Sequence, residues 1–161
     1  MTIISRLEDL SKDKVTVMLR ILEHEGLRRA LFYNHRDFLN ESRPLPSVND
    51  LIYKRIFPYR FLPDTVNDVG TFITMSFRGY RPSKSHYKSG NVYINALCHI
   101  DDIQTDYGFL KYDYICSELD KIMNNKNGIG IGKTNFTDMD EIYVNDKFQG
   151  QYVAYKLYEF N

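Results

Sequence analysis

The stretch Thr71–Ile100, TFITMSFRGYRPSKSHYKSGNVYINALCHI, decides the fold. Both of its ends alternate with period two. In the first, Ile73, Met75 and Phe77 face one way, and Phe72, Thr74, Ser76 and Arg78 face the other. In the second, Val92, Ile94, Ala96, Cys98 and Ile100 alternate with Tyr93, Asn95 and His99. Successive side chains of a strand leave opposite faces, so each run reads as a strand of a sheet with one buried side. Between them, Arg78–Gly90 is basic and rich in turn residues, and it reads as a long loop.

Working outward, residues 1–35 read as helical. Val15, Met18, Leu19 and Leu22 recur at helical spacing, with Asp13 placed as an N-cap. Gly26 is placed to break or kink the helix before Leu27, Leu31 and Phe32 continue the stripe, and a shorter turn is expected over Ile3–Leu10. Residues 36–70 hold Pro44, Pro46, Pro58 and Pro63 without periodicity. Proline removes a donor and fixes φ, so a long helix or a central strand is excluded there. A short helix over Val48–Arg55, capped by Ser47, is the one element expected. Long irregular segments in small domains are usually functional or ordered by a partner.

After the strand pair, Tyr107–Asn125 reads as a helix with Asp106 as its N-cap. Leu110, Tyr114, Ile115, Leu119, Ile122 and Met123 form its apolar face, and Gly128 follows its end. Short strands follow at Ile142–Val144 and Gln151–Phe160, the second with Val153, Tyr155 and Leu157 on one face. The whole is an α+β domain, 1–161, with an antiparallel sheet and helices packed on one face.

Bulk properties narrow the function. A chain of 161 residues can bury about two-thirds of its unfolded surface. The formal net charge is zero, which is unlike a dedicated nucleic-acid binder. The charge is unevenly spread. Residues 1–60 hold 11 Lys/Arg and 8 Asp/Glu, and residues 101–161 hold 6 and 11. Such polarity favours head-to-tail contacts between identical subunits. Thirteen Tyr and ten Phe, with no Trp, suit surfaces that are buried only in assemblies, or equally a Tyr-rich sheet surface. Cys98 and Cys116 do not make a disulfide framework and read as reduced core residues. No run of about 18 apolar residues and no signal-peptide core is visible, so an aqueous, reducing compartment is expected.

Three clusters could carry chemistry. Asn127–Thr134, NGIGIGKT, ends like a phosphate loop, but Asn127 stands where the first glycine belongs. A helix precedes it where a strand is required, so it reads as a glycine turn. His99, Asp101, Asp102 and Asp106 could in principle hold a metal for a small enzyme, yet an acidic strand end before a helix cap explains them, and no metal or cofactor is expected. His24, His35 and His86 stand alone, and Cys98 and His99 leave opposite strand faces, so no nucleophile–base pair is recognisable. The best binding candidate is the basic stretch Arg78, Arg81, Lys84 and Lys88 interleaved with Tyr80 and Tyr87. It suits phosphates, an acidic protein patch, or simply a solvated hairpin tip.

From Thr71 to Phe160 the chain resembles the tail terminator (tail completion, or head–tail joining) proteins of long-tailed bacteriophages. The resemblance rests on TFITMSF, NVYINALCHIDDIQTDYG, FLKYDYICSELDKI, the turn GIGIGK and GQYVAYKLYEF, with TDYGFLKYD the most specific part. It implies a homohexameric ring in the virion neck, assembled in the host cytoplasm. The ring would cap the tail tube, offer a docking surface to the head-side connector, and let DNA pass its lumen without specific binding. It implies no catalysis and no cofactor. Under it, Arg78–Lys88 is expected to contact a neighbouring subunit or the tube. Another neck ring, such as a head-completion stopper, is the nearest alternative within structural proteins.

Overall fold

The computed structural model describes residues 7–64, 68–84 and 86–160. Along the chain lie helices α1 (Leu7–Leu22) and α2 (Glu25–Phe32), strand β1 (Ile56–Phe57), strands β2 (Thr71–Ser83) and β3 (Tyr87–His99), helix α3 (Lys111–Met123), and strands β4 (Asn135–Tyr143) and β5 (Phe148–Phe160). The sheet order is β1-β2-β3-β5-β4. All neighbours are antiparallel except the two-residue parallel pair of β1 with β2.

The alternating runs pair as the sequence predicts, with Ile73 opposite Ala96 and Phe77 opposite Val92. The loop expected at Arg78–Gly90 is instead the far half of the hairpin. A bulge follows Arg78, with Gly79 at φ 72°, and pairing resumes at Arg81–Ser89. Pro82 sits opposite Lys88, beyond the reach of β1. A bulge glycine and a proline on an unpaired edge leave the ladder intact, although both read as strand breakers in sequence.

The helices cover one face of the sheet. Val17, Ile21, Leu27, Leu31, Ile115 and Leu119 pack with Ile73, Met75, Val92, Ile94, Val153 and Tyr155 in one core. Each such aliphatic side chain contributes about 1.5–3 kcal/mol by leaving water. A second, smaller cluster lies apart from this core. It joins Phe57, Phe72, Leu97 and Phe148, with Phe61 stacked on Phe57 at 4.0 Å. Strand alternation puts it on the other face of the sheet, below called the open face.

Several boundaries move for local reasons. The first helix breaks at Glu23–His24 rather than at Gly26, because the His24 ring caps α2 by accepting from the Leu27 amide at 3.1 Å. Gly26 serves packing instead, since a Cβ there would meet the Tyr114 hydroxyl. Asp13 is buried within α1 and is no cap. The expected Ile3–Leu10 turn lies partly outside the described residues, and Leu7–Leu10 belong to α1. Helix α3 starts at Lys111 after Leu110, so Asp106 is not its cap. Strand β4 begins seven residues before the expected Ile142. Its run Asn135–Glu141 is exposed throughout, so no core-facing alternation marks it. The described part of the Pro-rich segment is held by the domain itself. Val48–Asp50 forms a short 3-10 turn after Ser47, and the Arg55 carbonyl accepts from the Ile73 amide at 2.9 Å.

Candidate functional site

The basic ribbon is only partly available to a partner. The Arg78 guanidinium lies over the Tyr93 ring at 3.9 Å. Tyr80 turns in against Gly90. Its hydroxyl is buried, and burial together with Glu159 and Asp13 pushes its pKa up. Tyr87 packs on Phe160 at 5.7 Å, and Lys88 is half-buried in register with Glu159. Arg81 and Lys84 remain exposed at the tip. Of the six residues singled out in the sequence, the structure leaves these two for solvent or a partner and gives the other four contacts within the fold.

The glycine turn does not form a phosphate cradle. Its backbone closes on itself, with the Thr134 amide donating to Lys126 O at 3.0 Å and the Asn125 amide to Thr134 O at 2.7 Å. The Gly130 amide donates to the Asp13 carboxylate at 3.2 Å. A carboxylate therefore occupies the place where a phosphate would need to sit.

Two of the four metal candidates, His99 and Asp101, lie together, and the other two stand apart from them. His99 is buried edge-on against Phe148, and its Nδ1 accepts from the Asp101 amide. Asp101 and Asp106 are exposed, and Asp102 faces the interior. A 3-10 turn over Ile100–Asp102 replaces the strand there, yet His99 Nδ1 still lies 3.6 Å from the Asp101 carboxylate. Among the described residues, no three His, Cys, Asp or Glu side chains are placed to hold a metal ion. Of the isolated histidines, His24 also bonds Glu118 at 2.9 Å, while His35 and His86 are exposed.

Two buried polar clusters escaped the sequence reading. In the first, Lys111 donates to Asp102 and to the Tyr33 carbonyl, both at 2.8 Å, and Thr71 donates to the same Asp102 oxygen at 2.6 Å. Burial pulls the Lys111 pKa down while Asp102 opposes the shift. Lys111 belongs to TDYGFLKYD, so the basic residue of that motif is a core pin. Its spacing of four and eight residues from Ile115 and Leu119, which puts it on the helix's apolar face, was the signal for this. Cys98 lies beside the cluster, and burial pushes its thiol up to about 12, which leaves it unreactive.

The second cluster joins Asp13 of α1 to Glu159 near the end of β5. Burial first, then the bonded Asp13 carboxyl, pushes the Glu159 pKa up to about 8 from an ordinary 4.5. The fold thus keeps a proton that the unfolded chain releases above 4.5. The stability this lends is complete below that value and is lost as pH rises through 8. Glu159→Gln is expected to flatten this slope and to stabilise the protein by about 2 kcal/mol at pH 8. Urea unfolding at pH 5, 7 and 8.5 checks it, and parallel wild-type and variant pH curves would refute it.

Large exposed side chains gather at the two ends of the sheet. Beyond β1 lie Tyr53, Tyr59 and Leu62, the last 76% exposed, with Tyr53 and Tyr59 stacked at 6.3 Å. On β4, Phe136, Met139 and Tyr143 point to the helix side but outlie the helices, and Tyr143 is 77% exposed. Between β4 and α3 runs a groove of about 450 Å³, floored by Cys116 and Val153 and edged by Phe136, Met139, Asp113 and Asp120. On the open face a second trough of about 560 Å³ lies between Arg60–Leu62 and Ile142, Val144.

Residues 24–157 match the family YomW. The chain belongs to the YomW family. Membership makes it a phage-associated protein. The YomW match leaves out α1 and the last three residues of β5, and it covers both sheet ends, the Lys111 pin and the ribbon. No curated protein matches the chain. For this YomW-family domain, no helix among the described residues is long and apolar enough to cross a membrane.

Proposed function

We propose that the protein is a structural subunit of a phage particle. It forms a ring at the head–tail junction that caps the tail tube and docks the head-side connector. The observation that carries this reading is the pair of separate exposed aromatic surfaces at opposite ends of one sheet. A subunit with a single partner needs one such surface. A ring subunit needs two different ones, each meeting a neighbour. The ribbon tip with Arg81 and Lys84 supplies a third surface, for the tube. Membership in a phage-associated family and the resemblance of Thr71–Phe160 to tail terminators support the same reading.

The ribbon gives the test. Arg81→Ser with Lys84→Ser is expected to leave the monomer folded, because neither side chain is buried. Particle assembly should fall at least tenfold, read as the yield of joined particles by electron microscopy. Normal yields from this variant would remove the ribbon from the tube contact. Absence of the wild-type protein from purified particles would defeat the reading as a whole.

A further inference from the structure

We infer that the Tyr53–Lys54 corner of one copy seats in the α3–β4 groove of the next copy, head to tail. The inference rests on the ring reading above and names the surfaces that would close the ring.

The groove side is acidic. Asp113 and Asp120 edge the groove itself, and Glu141, in register with the groove residue Gln151, stands on the same face of β4, while Asp138 and Asp140 stand on the opposite face of that strand. The corner side is basic. Residues 53–62 hold Lys54, Arg55 and Arg60 and no Asp or Glu. Arg55 is committed to the Phe72 ring at 4.9 Å, which leaves Lys54 on the corner and Arg60 beside the open trough. Opposite charges on two distant surfaces of one chain favour contact between copies and disfavour each surface meeting itself.

The shapes agree as well. The groove has an apolar floor of Cys116 and Val153 and an apolar rim of Phe136 and Met139. Tyr53 is an exposed knob, stacked on Tyr59, with φ at 56°. A bulky residue in the left-handed region is costly, and such strain persists where the surroundings enforce it. Here the Tyr53 amide donates to Ile56 O at 3.0 Å, which fixes the corner. A preorganised aromatic knob beside a cation fits an apolar slot rimmed with carboxylates. Strands β1 and β4 are the two end strands of the sheet, so the contact cannot be satisfied within one chain and is not symmetric. Repetition of an asymmetric contact closes into a ring when the rotation permits.

The test swaps the charges in two separate proteins, Lys54→Glu and Asp113→Lys/Glu141→Lys. All changed side chains are exposed. Each variant alone places like charges across the contact, and its self-assembly should weaken at least about tenfold. An equal mixture restores opposite charges at every contact, but only if the two proteins alternate. Native mass spectrometry of the mixture should therefore show alternating assemblies with equal numbers of each variant. Assembly of either variant alone at wild-type strength, or no recovery on mixing, overturns the proposed contact while the ring reading stands. A wild-type chain that stays single both free and in purified particles overturns the contact and the ring together.

Discussion

Lys111→Met is expected to destabilise the fold by about 3–5 kcal/mol, the usual cost of breaking a buried ion pair from one side. Lys111 and Asp102 are both almost fully buried, and their atoms meet at 2.8 Å. Removing the cation leaves Asp102 with the Thr71 hydroxyl as its remaining side-chain donor. The Tyr33 carbonyl at the end of α2 also loses its donor. Four segments meet at this point: the end of α2, the start of β2, the turn after β3 and the start of α3. The damage should therefore spread across the domain. Asp102→Leu should cost a similar amount, because it strands the ammonium against the Phe38 ring 5.1 Å away. The double variant should lose less than either single change, since an apolar pair of similar volume leaves no orphaned charge. Urea unfolding of the three variants gives the coupling directly. Additive losses would show that the two side chains act independently, against the geometry.

What the sequence carried, and what it did not, follows from the kind of signal each element leaves. Strands β2, β3 and β5 bury one face against the helices, so Ile73, Val92 and Val153 fall into visible alternation. Strand β4 buries almost nothing on either side, and a run such as Phe136–Glu141 then looks like a loop. The ribbon reads as a loop in sequence because Gly79 and Pro82 look like breakers, and they are breakers only where both neighbouring strands are paired. The end-strand aromatics were legible as composition, in the Tyr and Phe excess, but not as places. Their clustering depends on β1 and β4 ending the sheet, and a register between distant segments is not written locally. The Lys111–Asp102 pin was hidden for the opposite reason. A charged residue in a helix reads as solvent-facing unless its partner, nine residues away in sequence, is known to sit under it.

Apart from the buried Lys111 pin, the features hidden from sequence patterns share a cause that bears on the proposed function. They depend on where the sheet stops, and that is where a subunit can meet its neighbours. Helix-side alternation describes a core that many folds would share. The acidic β4, the basic corner beyond β1 and the exposed ribbon tip distinguish this domain from a generic α+β fold. They also explain how a chain with no net charge can still present strongly charged surfaces to its neighbours.

Gly150→Ala should cost about 3 kcal/mol or more, far beyond an ordinary surface change. Gly150 lies in β5 between Leu97 of β3 and Ile142 of β4, at the centre of the sheet end that carries the second aromatic cluster. A Cβ built there would lie 1.7 Å from the Ala96 carbonyl oxygen. That atom belongs to a paired backbone, so relief requires β3 and β5 to separate and loosen the ladder that holds Phe148 in place. Gly132→Ala is the matched control. It has open space around its Cβ but sits at φ 71°, so its cost is conformational and should be about 1 kcal/mol. The two variants separate a steric demand for glycine from a torsional one. If Gly150→Ala proves as mild as Gly132→Ala in urea unfolding, the strands can part cheaply at this point. The sheet end could not then hold the β1 corner and β4 at the fixed spacing that a repeating contact between copies requires.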